Sequence, residues 1–123
     1  MKGIEKIKIS TESTIKEALN AIDLGAVKIA LVVNKDNKLL GTLSDGDVRR
    51  GLLRKKSMND IIKDIYFKKP TIAKKGSSKK YLLSLCSINR VGQIPIIDDE
   101  QKVVDLFVID DELSKKQHEN SVV

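Results

Sequence analysis

The chain has 123 residues, of which 41% are hydrophobic and only 3% aromatic, so it fits one compact domain with a mainly aliphatic core. Its formal net charge of +6 favours anionic partners in general, whereas no apolar run reaches the roughly 20 residues that a membrane-spanning helix needs. The single cysteine, Cys86, excludes an intramolecular disulfide and suits a reducing compartment, and the N-terminus lacks the apolar core of a signal peptide. These features predict a cytoplasmic protein.

The first predicted helix follows a weak strand at residues 7–9. Thr14 and Glu17 have the spacing of a capping box, in which each side chain accepts a hydrogen bond from the backbone of the other. Apolar residues follow at helical spacing, and Gly25 is expected to end the helix in a left-handed conformation.

A strand pair and a second helix come next. Residues 29–33 and 39–43 predict two strands joined by a polar turn. Asp45 or Asp47 is expected to cap the following helix, which should bury Val48 and Leu52.

Residues 58–69 are predicted to connect the two halves through a short helix with an apolar face of Met58, Ile61, Ile62 and Ile65. The second half should contain a short strand at 71–73, a helix at 77–89, strands at 94–97 and 103–109, and a last helix at 110–116. The inward face of the 77–89 helix is predicted to comprise Tyr81, Leu82, Leu85 and Ile88, and Cys86 is expected to be a buried apolar residue. Pro95 has no amide hydrogen and is expected at a strand start or a sheet edge.

The two halves repeat one another at a constant offset. An apolar run, a polar turn, a second apolar run and an acid occur in both, which pairs Asp47 with Asp111 (111 − 47 = 64). A duplicated unit that cannot bury its apolar face alone gains a core by packing on its copy. The sequence therefore predicts an α+β protein of two β-α-β-β-α repeats, with a cleft between them as the natural ligand site.

The segment GTLSDGDV at residues 41–48 resembles the CBS-domain motif of a glycine, two apolar positions, a threonine or serine, two variable positions, an aspartate and an apolar residue. The resemblance extends from about residue 7 to 113. It implies tandem CBS domains, with repeats at 1–57 and 70–116, a connecting segment at 58–69, and a tail at 117–123 that could begin a missing downstream domain. Such pairs, as a family, sense adenosine-containing ligands and regulate an attached enzyme or transporter.

A narrower resemblance concerns SDGDVRRGL at residues 44–52, which is similar to CBS pairs that precede sugar-phosphate nucleotidyltransferase domains. Together with the apolar residues at the C-terminus, it implies a regulatory segment of a longer nucleotidyltransferase-like protein. The alternative is a stand-alone CBS protein with a frayed tail.

The candidate ligand site centres on Asp47, whose two carboxylate oxygens could accept both ribose hydroxyls of a nucleotide, although a helix cap alone would also explain it. Ser44 could contact a phosphate or merely stabilise a turn, and Arg49 and Arg50 could bind phosphate or lie in solvent. The remaining candidates are the purine wall of Ile29 and Ala30, with Thr11 or Ser10 beneath it, although simple core packing would also explain this set.

The second site is predicted to be weaker. Asp105 replaces the glycine of the motif and Val108 replaces its hydroxyl, while Asp111 retains the acid. A phosphate there would lose a donor and would meet added negative charge. If only one nucleotide binds tightly, we expect it on the side of Ser44 and Asp47.

No constellation of residues predicts catalysis or a metal site, so the segment is expected to be regulatory rather than enzymatic. The candidate ligands are AMP, ADP, ATP and S-adenosylmethionine, and the predicted assembly is a homodimer formed through helix faces. The alternative function is a ligand-free structural dimerisation module. Residues 65–97 contain lysines and no acid, but few aromatic residues for base stacking, so nucleic acid is not the expected partner.

Overall fold

The computed structural model of the protein describes residues 4–109, which form two three-stranded sheets with helices on their outer sides. The first sheet has the order β1-β2-β3 and the second has the order β4-β5-β6. In each sheet the first pair of strands is parallel and the second pair is antiparallel. The strands are β1 (Lys8–Ile9), β2 (Ile29–Val33), β3 (Leu39–Ser44), β4 (Ala73–Lys74), β5 (Gln93–Ile97) and β6 (Val103–Val108).

Within the described residues, three α-helices accompany the sheets: α1 (Ile15–Gly25), α2 (Asp45–Leu53) and α3 (Lys79–Asn89). Short 3-10 helices lie at Ile4–Ile7 and Ile62–Asp64. The predicted α+β class is confirmed, and both opening strands are only two residues long, as the weak sequence signal suggested. The helix expected at 110–116 lies outside the described residues. None of the helices described between residues 4 and 109 has the length and apolar character needed to cross a bilayer.

The strand register shows that the halves are structural repeats. Ile29 pairs with Ser44 in the first sheet, and the residues 64 positions later, Gln93 and Val108, pair in the second. Both strand pairs also change register at the equivalent place, between Val32 and Val33 and between Ile96 and Ile97. The offset read from the sequence is therefore the offset of the fold.

The turns of the two hairpins are closed by equivalent side chains of different chemistry. The Asn34 amide oxygen accepts hydrogen bonds from the backbone N–H groups of Asp36 and Lys38, at 2.8 and 3.0 Å. A carboxylate oxygen of Asp98 accepts from Glu100 and Lys102, at 2.8 and 2.9 Å. The bond from Lys102 is the main cause that lowers the pKa of Asp98 from its ordinary 3.8.

The repeats meet through an apolar layer between their sheets, to which both halves contribute: Ile7, Ile29, Leu31, Ile97 and Val103. One further core lies between the first sheet and its helices, and another lies between the second sheet and its helix. The hairpins are also joined directly by hydrogen bonds. Asn37 accepts from the Val103 N–H at 3.1 Å and donates its side-chain amide to the Val103 carbonyl at 3.2 Å, and the Leu39 N–H donates to Gln101 at 3.2 Å.

Helix α1 begins at the predicted capping box but ends differently from the prediction. Gly25 is its last helical residue, and the left-handed residue is Ala26, with a φ of 56°. A side chain at Gly25 would collide with Ile7. The glycine is therefore explained by close packing rather than by its backbone conformation.

Helix α3 turns part of the predicted face inward, since Leu82 is buried and Leu85 packs against the same core. Leu82 and Cys86 are buried, whereas Tyr81 and Ile88 are exposed. The apolar pattern covered more than one face, and the position of the sheet decides which face is used. Burial raises the pKa of the Cys86 thiol, which agrees with the predicted apolar role.

Two further expectations need correction. Leu52 is exposed, so α2 buries Val48 but not its predicted partner. Pro95 lies in the middle of β5, the central strand, rather than at a strand start or an edge. It is tolerated beside β4 because β4 pairs only with Ile96 and Ile97 and does not reach Pro95.

The connecting segment is bonded to the first repeat at both of its ends. Near its start, Asp60 and Met58 accept hydrogen bonds from the first turn of α1, and the Ile62 N–H donates to Ser13. Near its end, Phe67 exchanges two backbone hydrogen bonds with Thr42 of β3, at 2.8 and 3.0 Å. Of its predicted apolar face, Ile62 is fully buried, whereas Met58 and Ile61 are exposed.

Gly41 is required by this segment. A side chain there would collide with the Phe67 carbonyl oxygen and lie 2.7 Å from the Tyr66 ring. The equivalent Asp105 faces the helix side of its sheet and lines a hollow with Lys74 and Lys75. Gly41 is therefore explained by packing, and the expected effect of Asp105 on a second site stays a prediction.

We expect Gly41→Ala to destabilise the protein by about 1–3 kcal/mol, because the added methyl group meets a backbone carbonyl that cannot rotate away. Urea unfolding measures this loss. Asp105→Ala is the matched control, since that position already carries a side chain, and a loss as large as that of Gly41→Ala would contradict the packing explanation.

Asp98→Asn should make stability less sensitive to acid. The lowered pKa of Asp98 means that its charged form stabilises the fold above its ordinary value of 3.8, and that this contribution is lost as the pH falls through the lower folded value. The amide should keep both turn hydrogen bonds, as Asn34 does in the first hairpin. We expect the variant to lose less stability than the parent between neutral pH and acid in urea titrations, and equal losses would contradict the assignment.

Candidate functional site

A cleft of about 390 Å³ lies where the two repeats meet, beside the N-terminus of α2. This volume is within the usual range for small-molecule sites. The first repeat and the connecting segment line one wall with Ile29, Thr42, Ser44, Asp47, Arg50 and Phe67. The second repeat contributes the other lining residues, which are Pro70, Thr71, Arg90, Val91, Gly92, Gln93 and Pro95.

Strand alternation places the first-repeat residues on this wall. Ser44 is paired with Ile29, and Thr42 is paired with Leu31 of the apolar layer between the sheets. Alternate residues of a strand lie on the same face of the sheet, so the hydroxyl groups of Thr42 and Ser44 lie on the face that carries this apolar layer, next to it. Asp47 joins them because α2 begins immediately after β3.

Ser44 and Asp47 form a complete capping box at the start of α2. The Asp47 N–H donates to the Ser44 hydroxyl oxygen at 3.2 Å, and the Ser44 N–H donates to Asp47 Oδ2 at 2.9 Å. The Ser44 hydroxyl also donates to Asp47 Oδ2, at 3.1 Å. The cap is therefore Ser44, not Asp45 or Asp47 as predicted, and Asp47 is the reciprocal acceptor.

Arg50 occupies the other oxygen of the same carboxylate. Its Nη2 lies 2.7 Å from Asp47 Oδ1, one helical turn along α2. The Asp47 side chain is only 16% exposed, whereas that of Arg50 is 61% exposed. A side chain at Gly46 would stand 3.3 Å from the Arg50 guanidinium, so the glycine leaves room for Arg50 to fold back onto Asp47.

The structure brings four of the predicted site residues to the cleft: Asp47, Ser44, Arg50 and Ile29. Ala30 is fully buried in the core of the first repeat, because alternation turns it away from the side of Ile29. Thr11, Ser10 and Arg49 are also not among the cleft residues. Asp111, the proposed acid of the second site, lies outside the described residues.

The cleft residues contributed by the second repeat, above all Thr71, Arg90 and Gln93, were not predicted from the sequence. One signal could have found part of it. Gln93 is the repeat equivalent of Ile29, and equivalent residues of two facing repeats approach each other near their interface. The sequence gives no such signal for Arg90, because its position in the cleft depends on where α3 ends.

Metal binding finds no support in the part of the chain that the structure describes, since it contains no cluster of three or more histidine, cysteine or acidic residues suited to a metal ion. The polar groups of the cleft are instead one carboxylate, two guanidinium groups, several hydroxyls and an amide. Such a set can accept hydrogen bonds from hydroxyl groups and donate them to an anion.

Comparison with known proteins finds a family match in the first repeat and relatives that cover most of the chain. Residues 4–54 match the family described as CBS domain. An inosine-5′-monophosphate dehydrogenase of Methanocaldococcus jannaschii is 28% identical over 112 residues, which are 91% of this chain and 22% of that protein. The chain thus spans about a fifth of the length of this curated relative.

Solved structures agree on the fold. The CBS domain pair of protein MJ0100, in complex with 5′-methylthioadenosine and S-adenosyl-L-methionine, has a TM-score of 0.81 at 18% identity, over 93% of this chain and 90% of that chain. The cytosolic domain of the Mg²⁺ channel MgtE in complex with ATP has a TM-score of 0.73 at 18% identity, over 89% and 44% of the two chains.

We expect Ser44→Ala and Thr14→Ala to lower stability by similar amounts, about 0.5–2 kcal/mol each, because each removes the capping hydroxyl of an equivalent box. Thermal or urea unfolding measures both. A loss for Thr14→Ala with none for Ser44→Ala would show that the Ser44 box does not hold α2.

Proposed function

Because residues 4–54 match the family described as CBS domain and the chain has the fold of a CBS domain pair, we propose that it is a regulatory module that binds an adenosine-containing ligand in the cleft between its repeats. AMP, ADP, ATP and S-adenosylmethionine are the candidate ligands. The observation that carries this proposal is the position of Asp47, a largely buried carboxylate fixed on the wall of an inter-repeat cleft. The adenosine ligands of MJ0100 and MgtE support the choice of ligand class.

In this proposal Asp47 accepts hydrogen bonds from the ribose hydroxyl groups. Its carboxylate is held in place by two hydrogen bonds from Ser44, so little freedom is lost on binding. Ile29 and Pro95 offer apolar surface to the base from the two repeats. Ser44 acts mainly through Asp47, because its hydroxyl is already bonded to it.

Regulation would follow from the position of the ligand between two repeats. A ligand that binds one arrangement of the repeats more tightly than another shifts the population toward it and so biases an attached domain. We propose a sugar-phosphate nucleotidyltransferase as the controlled enzyme, on the resemblance of residues 44–52. The similarity to an inosine-5′-monophosphate dehydrogenase makes a dehydrogenase the second candidate.

A second candidate function is a ligand-free dimerisation module in the cytoplasm. Three large apolar side chains on the helices are strongly exposed: Leu24 at 70%, Leu53 at 78% and Ile88 at 76%. Such surface is suited to a homodimer formed through helix faces, whether or not a ligand binds.

A thermal-shift screen with AMP, ADP, ATP and S-adenosylmethionine separates the two functions. A ligand that binds only the folded protein raises its melting temperature, so at least one of the four should do so. The absence of a shift with all four would favour the structural module.

The role of Asp47 is tested by calorimetric titration with the ligand that gives the largest shift. We expect Asp47→Ala to weaken binding by about ten- to a hundredfold, because a hydrogen bond to a charged group contributes about 1.5–3 kcal/mol. Glu17→Ala is the matched control, since Glu17 has the same place in the capping box of α1 but does not line the cleft. Equal losses of ligand affinity in these two variants would show that Asp47 acts only as a helix cap.

The preference for the first site is tested by the same titration of Asp111→Ala. Equal losses of affinity in Asp47→Ala and Asp111→Ala would contradict this predicted preference.

A further inference from the structure

The charged groups of the cleft distinguish among adenosine-containing ligands. Resting on the function proposed above, we propose that the cleft selects a phosphorylated adenosine nucleotide, with Arg90 and Arg50 as the residues that determine this specificity. We further propose that Arg50 exchanges the Asp47 carboxylate for the phosphate when the nucleotide binds.

The charge balance of the cleft favours an anion. Its lining contains two guanidinium groups, on Arg50 and Arg90, against the single carboxylate of Asp47. Because Arg50 and Asp47 neutralise each other, Arg90 gives the cleft lining a net positive charge. A planar guanidinium binds phosphate oxygens through paired hydrogen bonds, which makes phosphate the group that this lining is best suited to hold.

Arg90 is placed for this role by the end of α3. It is the left-handed residue after the helix, with a φ of 54°, and its N–H donates to the carbonyl of Cys86. Glycine or asparagine is the usual residue in that conformation, so the backbone does not explain an arginine there. Between residues 4 and 109, the structure gives the Arg90 guanidinium no hydrogen bond or ion pair.

Arg50 now occupies the carboxylate oxygen that a ribose would need. Asp47 Oδ2 is bonded to Ser44, which leaves Oδ1 as the oxygen that faces Arg50. Two ribose hydroxyl groups can both bind Asp47 only if Arg50 moves away. The Arg50 side chain is largely in solvent, where an ion pair contributes little, so its release costs little free energy.

The ligand decides whether this exchange is favourable. A nucleotide offers the displaced Arg50 a phosphate, so the lost ion pair is replaced. Neutral adenosine offers no replacement. S-adenosylmethionine has a net positive charge, and its one anionic group, a carboxylate, stands beside an ammonium group, so it replaces the ion pair less well than a phosphate does. The cleft should therefore prefer AMP, ADP or ATP over adenosine, 5′-methylthioadenosine and S-adenosylmethionine.

The first test is calorimetric titration of the unaltered protein with AMP, adenosine and S-adenosylmethionine at one ionic strength. We expect AMP to bind at least about tenfold more tightly than adenosine, as hydrogen bonds between charged groups contribute more than neutral ones. Arg90→Gln should weaken AMP binding by about five- to twentyfold and leave adenosine binding within about twofold. Arg54→Gln is the charge-matched control; Arg54 follows α2 but does not line the cleft, so the AMP affinity should change by less than about twofold.

The second test isolates the exchange of Arg50. Arg50→Gln should weaken AMP binding, but it should strengthen adenosine binding by about two- to fivefold, because Asp47 is then free of its competing ion pair. A merely structural role for Arg50 would change both affinities in the same direction. That result would overturn the exchange.

The remaining outcomes separate this inference from the function on which it rests. Adenosine or S-adenosylmethionine binding as tightly as AMP, with normal loss of affinity in Asp47→Ala, would overturn the phosphate preference and leave the regulatory ligand site intact. An AMP affinity that Arg90→Gln leaves unchanged would overturn the role of Arg90. Failure of every adenosine compound to bind would overturn both proposals.

Discussion

The apolar layer between the two sheets is the constraint on which the rest of the structure depends. Ile29 and Leu31 meet Ile97 and Val103 there, and the hairpin turns are bonded across the same interface through Asn37. Each sheet has only three strands, and its opening strand has two residues. Neither repeat could bury both faces of its sheet alone. The cleft exists because this layer ends where Thr42 and Ser44 replace apolar side chains on the same strand face.

The capping box of Ser44 and Asp47 couples folding to the candidate site. The hydrogen bonds that start α2 also orient the carboxylate that we assign to ligand binding. The cap and ligand interpretations of Asp47, which the sequence left as alternatives, are therefore compatible in the structure. For the same reason, the loss of Asp47 would affect both stability and binding. A substitution in the equivalent box of Thr14 and Glu17 affects stability alone, so it is the control that separates the two effects.

Local signals predicted most of the fold, and long-range contacts account for the errors. The box of Thr14 and Glu17, the strand pairs and the repeat offset are all encoded within a few neighbouring residues or in the duplication itself. The face of α3, by contrast, depends on where its sheet lies, so Tyr81 was assigned to the wrong side. Half of the cleft was missed for a similar reason, because Arg90 reaches it only after the two repeats have packed together.

The connecting segment is attached to the first repeat at both of its ends. Its backbone closes onto α1 through Asp60 and onto β3 through Phe67, and Tyr66 covers the surface left open by Gly41. A fragment that stops at residue 57 would therefore expose a sheet edge and the buried site of Ile62. The backbone that is bonded to the first repeat extends through Phe67, so any separation of the two repeats should cut between Phe67 and Pro70.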